Sequence, residues 1–140
     1  MNSSTIALYA AVATTASWTA KSVAIGSAGG LGKSPLEGPL FFAGLACCTV
    51  AALAIGVSFT RGRATWLRAV AGVMGFVVFF LFAQLLDTVV DQTLGGTEAS
   101  RHWVWAEVSL WVSAVLVLAL AVGQWRRVQD SSDVPELVTA

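Results

Sequence analysis

The sequence contains few charged residues. Of 140 residues, eight are Lys or Arg and eight are Asp or Glu, so charged residues make up 11% of the chain and the net charge is zero. Soluble domains average about 25% charged residues, and this composition therefore argues against a chain dissolved in water. The balance of positive and negative charge also argues against a nucleic-acid partner held by net charge.

Residues for metal, redox or nucleophilic chemistry are scarce as well. The chain has one histidine, His102, and two cysteines, Cys47 and Cys48, which are adjacent. Neighbouring residues of a helix point apart, so this pair cannot form a disulfide of ordinary geometry without distortion. The cysteines also lack C-x-x-C spacing, and no second histidine completes a metal site. We therefore predict no catalytic residues, no metal and no cofactor.

Long apolar segments are what the sequence has in abundance. Hydrophobic residues make up 56% of the chain, and the mean hydropathy is +0.76. Four apolar segments cover residues 5–26, 35–59, 67–90 and 103–125. Each has about 20 residues or more, enough for a helix to cross a hydrocarbon core of about 30 Å. The stretch GVMGFVVFFLFAQLL offers no polar face, which argues against a soluble helical bundle.

The expected fold is an all-α bundle of four transmembrane helices in up-down-up-down order with short loops, formed by residues 1–128. Residues 129–140 are predicted to be a short polar, acidic tail in the cytoplasm. The first basic residue, Lys21, falls inside the first apolar segment. A cleaved signal peptide has the opposite layout, so the first segment is predicted to be a retained helix.

The distribution of basic residues predicts the orientation in the membrane. Five arginines fall on one side of the predicted bundle: Arg61, Arg63, Arg68, Arg126 and Arg127. The opposite side has only Lys33 and Arg101, with Lys21 near the end of the first helix. Because basic residues accumulate on the cytoplasmic side, both termini are predicted to be cytoplasmic in a multi-pass protein of the cell membrane.

The loop SAGGLGKSPLEGP, residues 27–39, resembles the end of a phosphate-binding loop. However, Ser27 occupies the first glycine position of that motif, and an apolar helix precedes the loop where a strand is required. We interpret Ser34 as an N-cap, followed by Pro35 in the first helical position and by Glu37 closing a capping box. Three glycines would end the first helix: Gly29, Gly30 and Gly32. The loop is predicted to be a hairpin turn with no nucleotide.

The second apolar segment carries small residues at every fourth position. These residues are Gly44, Cys48, Ala52 and Gly56, and we call them the small-residue stripe. Stripes of this kind let transmembrane helices approach closely. The stripe, including Cys48, is therefore predicted to pack against another helix.

Three ionisable residues lie inside the predicted spans: Lys21, Asp87 and Glu107. Such groups cost at least about 2.5 kcal/mol at the membrane centre and less toward its surfaces. Counted from the ends of their segments, all three lie about 6–8 Å inside the outer boundary. Polar and aromatic neighbours share their helix faces: Gln84, Asp91, Trp18 and Trp111. The pattern is typical of an outward-facing pocket with excess negative charge, which would bind a cation or a proton. The alternative is a structural ion pair, or side chains reaching the membrane surface.

Two functions fit these patterns. The small-residue stripe and the short loops favour a non-catalytic accessory or assembly subunit of a larger membrane complex. The alternative is a small transporter-like or ligand-binding membrane protein that uses the charged pocket. The expected partners are the lipid bilayer and either another membrane protein or a second copy of the chain.

Overall fold

The described residues of the chain fold into helices. The computed structural model describes residues 2–60, 62–94 and 103–132. They form α1 (Ser3–Ala28), α2 (Glu37–Ser58), α3 (Thr65–Leu94) and α4 (Trp103–Ser132), with no strand in these ranges. The predicted all-α fold is confirmed. The last helix continues to Ser132, beyond the predicted end of the helical domain, and residues 133–140 of the predicted tail lie outside the described residues.

Three of these helices are long and apolar enough to cross a membrane. The spans run over Glu37–Ser58, Thr65–Thr93 and Glu107–Asp130. The prediction of apolar helices long enough to span a membrane is thus confirmed for α2, α3 and α4, and these helices make the chain a membrane protein of the helical type. Helix α1 has 26 residues, which is long enough to cross, and its crossing stays a prediction.

Helices α1 and α2 run antiparallel. The Trp18 indole of α1 bonds to the Phe41 carbonyl at the start of α2, whereas Ile6 at the other end of α1 lies beside Val57 near the end of α2. Helix α1 packs against α2 and α4, while α3 packs mainly on α2, touches α4 less and does not approach α1 within the described ranges. The bundle is therefore closed around α1 and looser around α3.

One face of α1 is buried along its whole length. Its buried residues alternate at spacings of three and four, and most are small: Ser4, Ala7, Ala11, Thr14, Trp18, Lys21, Ser22 and Ile25. This spacing keeps one stripe of a helix against its neighbours. The hydroxyls of Thr14 and Ser22 donate to carbonyls one turn earlier in α1, at 2.9 and 3.1 Å. Four of the polar residues that lower the hydropathy of α1 thus lie inside the bundle: Ser4, Thr14, Lys21 and Ser22.

The small-residue stripe of α2 contacts two different helices. A Cβ atom added at Gly44 would overlap the Trp18 indole of α1, and one added at Gly56 would overlap the Ala71 carbonyl of α3. Ala52 lies at the same contact with α3, since a Cβ on Gly75 would stand 2.9 Å from its carbonyl oxygen. Between these contacts, Cys48 is buried in the core.

The loop between α1 and α2 is a glycine turn. Gly29 has a left-handed φ of 81°, and the N–H groups of Gly29 and Gly30 donate to the carbonyls of Gly26 and Ile25. These bonds form a Schellman motif, which satisfies carbonyls at the end of α1. The predicted glycine turn is confirmed at these two residues.

The start of α2 differs from the prediction. The helix begins at Glu37, two residues later than the predicted start at Pro35. The Ser34 hydroxyl accepts from the Leu36 N–H at 3.3 Å, and the Glu37 carboxylate accepts from the Gly32 N–H at 2.7 Å. Because Pro35 and Leu36 form a turn before the helix, Glu37 reaches back into the glycine loop instead of closing a capping box with Ser34.

Candidate functional site

A buried ion pair joins the first helix to the last. The Nζ atom of Lys21 lies 2.6 Å from Oε1 of Glu107, and the two side chains are only 7% and 4% exposed. The packing of α1 against α4 brings the two residues together. Charge-assisted bonds of this length are strong, and close geometry is what offsets the cost of removing both charges from water.

The Lys21 ammonium is also held by an aromatic ring. It lies 5.4 Å from the ring centroid of Phe41, at the start of α2. This distance is within the range of cation–π attraction, which grows as the cation is removed from water. Three helices therefore surround one ammonium group.

The second oxygen of the Glu107 carboxylate has no hydrogen-bond partner among the described residues. Its Oε2 atom is buried and accepts no hydrogen bond from any described residue. Buried polar atoms are nearly always hydrogen-bonded, and leaving one unsatisfied costs about 1–3 kcal/mol, more for a charged group. The Glu107 side chain therefore retains the capacity to accept another donor.

A cavity of about 380 Å³ lies beside the ion pair and is lined by all four helices. Its polar residues are Lys21, Thr49, Gln84, Asp87, Glu107, Ser109 and Ser113. Its aromatic residues are Trp18, Phe41, Phe76, Phe79 and Phe80. The cavity follows from the loose packing of α3, which stays close to α2 but makes less contact with α4. It is the size of a small-ligand site and combines an apolar wall with a few polar groups.

Asp87 brings a second carboxylate to the cavity from α3. Its Oδ1 atom accepts a hydrogen bond of 3.1 Å from the Ser109 hydroxyl of α4. Gln84 lies one helical turn earlier and lines the same cavity. The acidic residue and the amide are thus presented by the helix that is least enclosed by the bundle.

The structure brings five of the seven predicted pocket residues to one cavity: Trp18, Lys21, Gln84, Asp87 and Glu107. The other two do not line it. Asp91 lies one turn beyond Asp87, and both side chains are exposed, but only Asp87 lines the cavity. The indole of Trp111 donates to the Ser22 hydroxyl at 3.2 Å. Trp111 is therefore directed to α1 and does not line the cavity.

Several lining residues were not singled out from the sequence. Ser109 and Ser113 are one turn apart on α4, and both are buried. Two polar residues at this spacing inside an apolar segment could have predicted that this side of α4 lines the cavity. Phe76, Phe79 and Phe80 carried no signal, because phenylalanines in a membrane span are equally suited to contact lipid.

A second cavity approaches the ion pair from the α1–α2 loop. It is lined by Gly32, Ser34, Glu37 and Gly38, together with Lys21 and Phe41. Lys21 and Phe41 line both cavities. The ammonium and the ring therefore stand between the loop at the end of the bundle and the cavity within it.

The fold and the site define a helical membrane protein with a charged cavity inside its bundle. Comparison with protein-family models, curated proteins and solved structures gives no match to this chain. Within the described residues, no group of three or more His, Cys, Asp or Glu side chains is arranged to hold a metal ion.

Proposed function

We propose that this protein binds a small ligand or ion in the cavity beside Lys21 and Glu107, as a four-span membrane protein with both termini in the cytoplasm. The unpartnered Oε2 of Glu107 carries this proposal. The charged cavity favours ligand binding over the accessory-subunit role that the sequence patterns favoured.

A purely structural ion pair explains less of the site. A strut between α1 and α4 requires Lys21 and Glu107, but it requires neither an adjoining cavity nor a second carboxylate on α3. Asp87 and Gln84 face this cavity from a helix that the ion pair does not join. A site for an additional charged or polar group accounts for all four residues.

A second candidate function, that of a subunit in a membrane complex, is favoured by the surface of α3. Only 6% of its apolar window is buried within the bundle. Its exposed large residues include Val73, Met74, Val78, Leu81 and Leu85. Purification in mild detergent followed by mass spectrometry tests this function, because a subunit would carry a partner in fixed stoichiometry.

Cysteine labelling in intact cells tests the proposed cavity. Cys47 and Cys48 are first replaced by alanine, since Cys48 lines the cavity. Gln84→Cys and Leu85→Cys are then compared, because these neighbours share one depth but only Gln84 lines the cavity. A membrane-impermeant trimethylammonium methanethiosulfonate added outside should modify Cys at 84 and spare Cys at 85. Failure to modify position 84 in a correctly folded protein would overturn an outward-facing, hydrated site.

A further inference from the structure

We infer that the ligand of this cavity is an organic ammonium ion with an aromatic or aliphatic body, a primary or secondary amine in its protonated form. The inference rests on the proposed function and names its ligand class. Three features of the cavity support it: its charge, its unpartnered acceptor and its apolar wall.

The charge of the cavity favours a cation. Lys21 and Glu107 neutralise each other in an ion pair, whereas Asp87 adds a carboxylate that a serine hydroxyl holds. The cavity lining therefore has two acidic side chains and one basic side chain. Charged groups inside a membrane are costly unless paired, so a bound monovalent cation would stabilise this arrangement. An anion would meet an ammonium that is already neutralised.

The site already stabilises one ammonium group. Lys21 is bound by a carboxylate oxygen at 2.6 Å and by the face of Phe41. The other oxygen of the same carboxylate, Oε2 of Glu107, is buried and lacks a donor among the described residues. An N–H of a second ammonium matches this acceptor. A primary or secondary amine fits better than a quaternary one, which has no N–H to donate.

The rest of the lining fits an apolar body. Three phenylalanines of α3 line the cavity: Phe76, Phe79 and Phe80. Leu45 and Leu110 line it as well. Aromatic faces attract cations and pack against apolar groups. The volume of about 380 Å³ lies at the lower end of small-molecule sites, which span about 300–1,000 Å³. A bare divalent ion fits poorly, because Ca²⁺ and Mg²⁺ need about six or more oxygen ligands.

Equilibrium binding of radiolabelled 2-phenylethylammonium to the full chain in lipid nanodiscs tests the inference. Binding should saturate, and 2-phenylethanol, which has the same body without the charge, should compete about tenfold less well or worse. Asp87→Asn keeps the shape and the acceptor for Ser109 but removes the charge, so it should weaken binding about tenfold or more. Asp130→Asn, a matched change at the far end of α4, should leave binding unchanged.

The outcomes separate the ligand class from the site. If the alcohol competes equally, or if Asp87→Asn binds as the parent protein does, the ammonium assignment is wrong. If 2-phenylethylammonium does not bind although Gln84→Cys is modified from outside, the cavity stands and the ligand class is overturned. If Gln84→Cys is not modified, the proposed function itself fails.

Discussion

Lys21 and Glu107 are separated by 86 residues along the chain, yet their charged atoms lie 2.6 Å apart between α1 and α4. This contact closes the bundle between its first helix and its last. Both charges are almost completely buried, so each depends on the other for its stability inside the bundle.

We expect Lys21→Met to lower the free energy of unfolding by about 3–5 kcal/mol, because it leaves the Glu107 carboxylate buried and unpaired. The double variant Lys21→Met with Glu107→Leu should recover much of this loss, because no lone charge remains. Unfolding in mixed detergent micelles measures both effects. Lys33→Met is the control, since this lysine is exposed and donates to the carbonyl of Gly29 in the loop. Additive losses in the double variant would contradict the pairing.

We expect Gly56→Ala to destabilise the protein by about 1–3 kcal/mol, since the new methyl group would overlap the Ala71 carbonyl of α3. Gly123→Ala is the matched control. It also replaces a helical glycine, but a Cβ there meets nothing within 4 Å. Because alanine is the better helix former by about 1 kcal/mol, the control should be neutral or stabilising. Equal effects of the two changes on unfolding would contradict close packing at Gly56.

Labelling of single cysteines from outside the cell tests the four-span topology. In the cysteine-free protein, Leu31→Cys should react with an impermeant reagent, while Ala64→Cys and Asn2→Cys should not. Leu31 and Ala64 are chosen instead of the nearby Gly30 and Gly62, where a positive φ would strain a cysteine. Asn2 decides whether α1 crosses. Reaction at both Asn2 and Leu31 would place both ends of α1 outside, and reaction at Asn2 and Ala64 but not at Leu31 would invert the orientation.

Two tryptophans near the site should behave differently. Trp111→Phe removes a hydrogen bond to Ser22 but no part of the cavity wall. It should cost about 1 kcal/mol of stability and leave 2-phenylethylammonium binding unchanged. Trp18→Phe replaces the indole, which lines the cavity and packs on Gly44, with a smaller ring. It should therefore lower both the stability of the protein and its binding of 2-phenylethylammonium. Unfolding in mixed detergent micelles and ligand binding in nanodiscs measure both variants. Loss of binding in Trp111→Phe would show that the ligand extends beyond the cavity.

The helical fold was readable from hydropathy because lipid imposes a simple requirement. A membrane span must be long and apolar, and its backbone groups must hydrogen-bond within the span. The apolar residues 72–86 meet these requirements as a helix. Helix α1 follows this rule less closely, since Thr14, Lys21 and Ser22 lie on its buried face. A hydropathy scale counts such residues against membrane insertion, although the bundle shields them from lipid.

The charged layer was predictable only in outline. Counting residues from the ends of the spans placed Lys21, Asp87 and Glu107 at one depth, but depth does not determine which groups meet. The pairing of Lys21 with Glu107 depends on how each helix is rotated and on which helices are neighbours. The bond from Trp111 to Ser22 depends on a side-chain rotamer, which helical spacing alone does not specify.

Helix α3 contacts α2 closely at two glycines, far from the charged residues. Gly72 and Gly75 bring the two backbones together there, and Asp87 lies 12–15 residues farther along, which is about 18–22 Å of helix. A change of about 10° in the tilt of α3 at this contact would move Asp87 by about 3–4 Å. That displacement is comparable to the thickness of an aromatic ring. The width of the cavity beside Glu107 therefore depends on the angle between α2 and α3 at these glycines, which lie far from the charged residues.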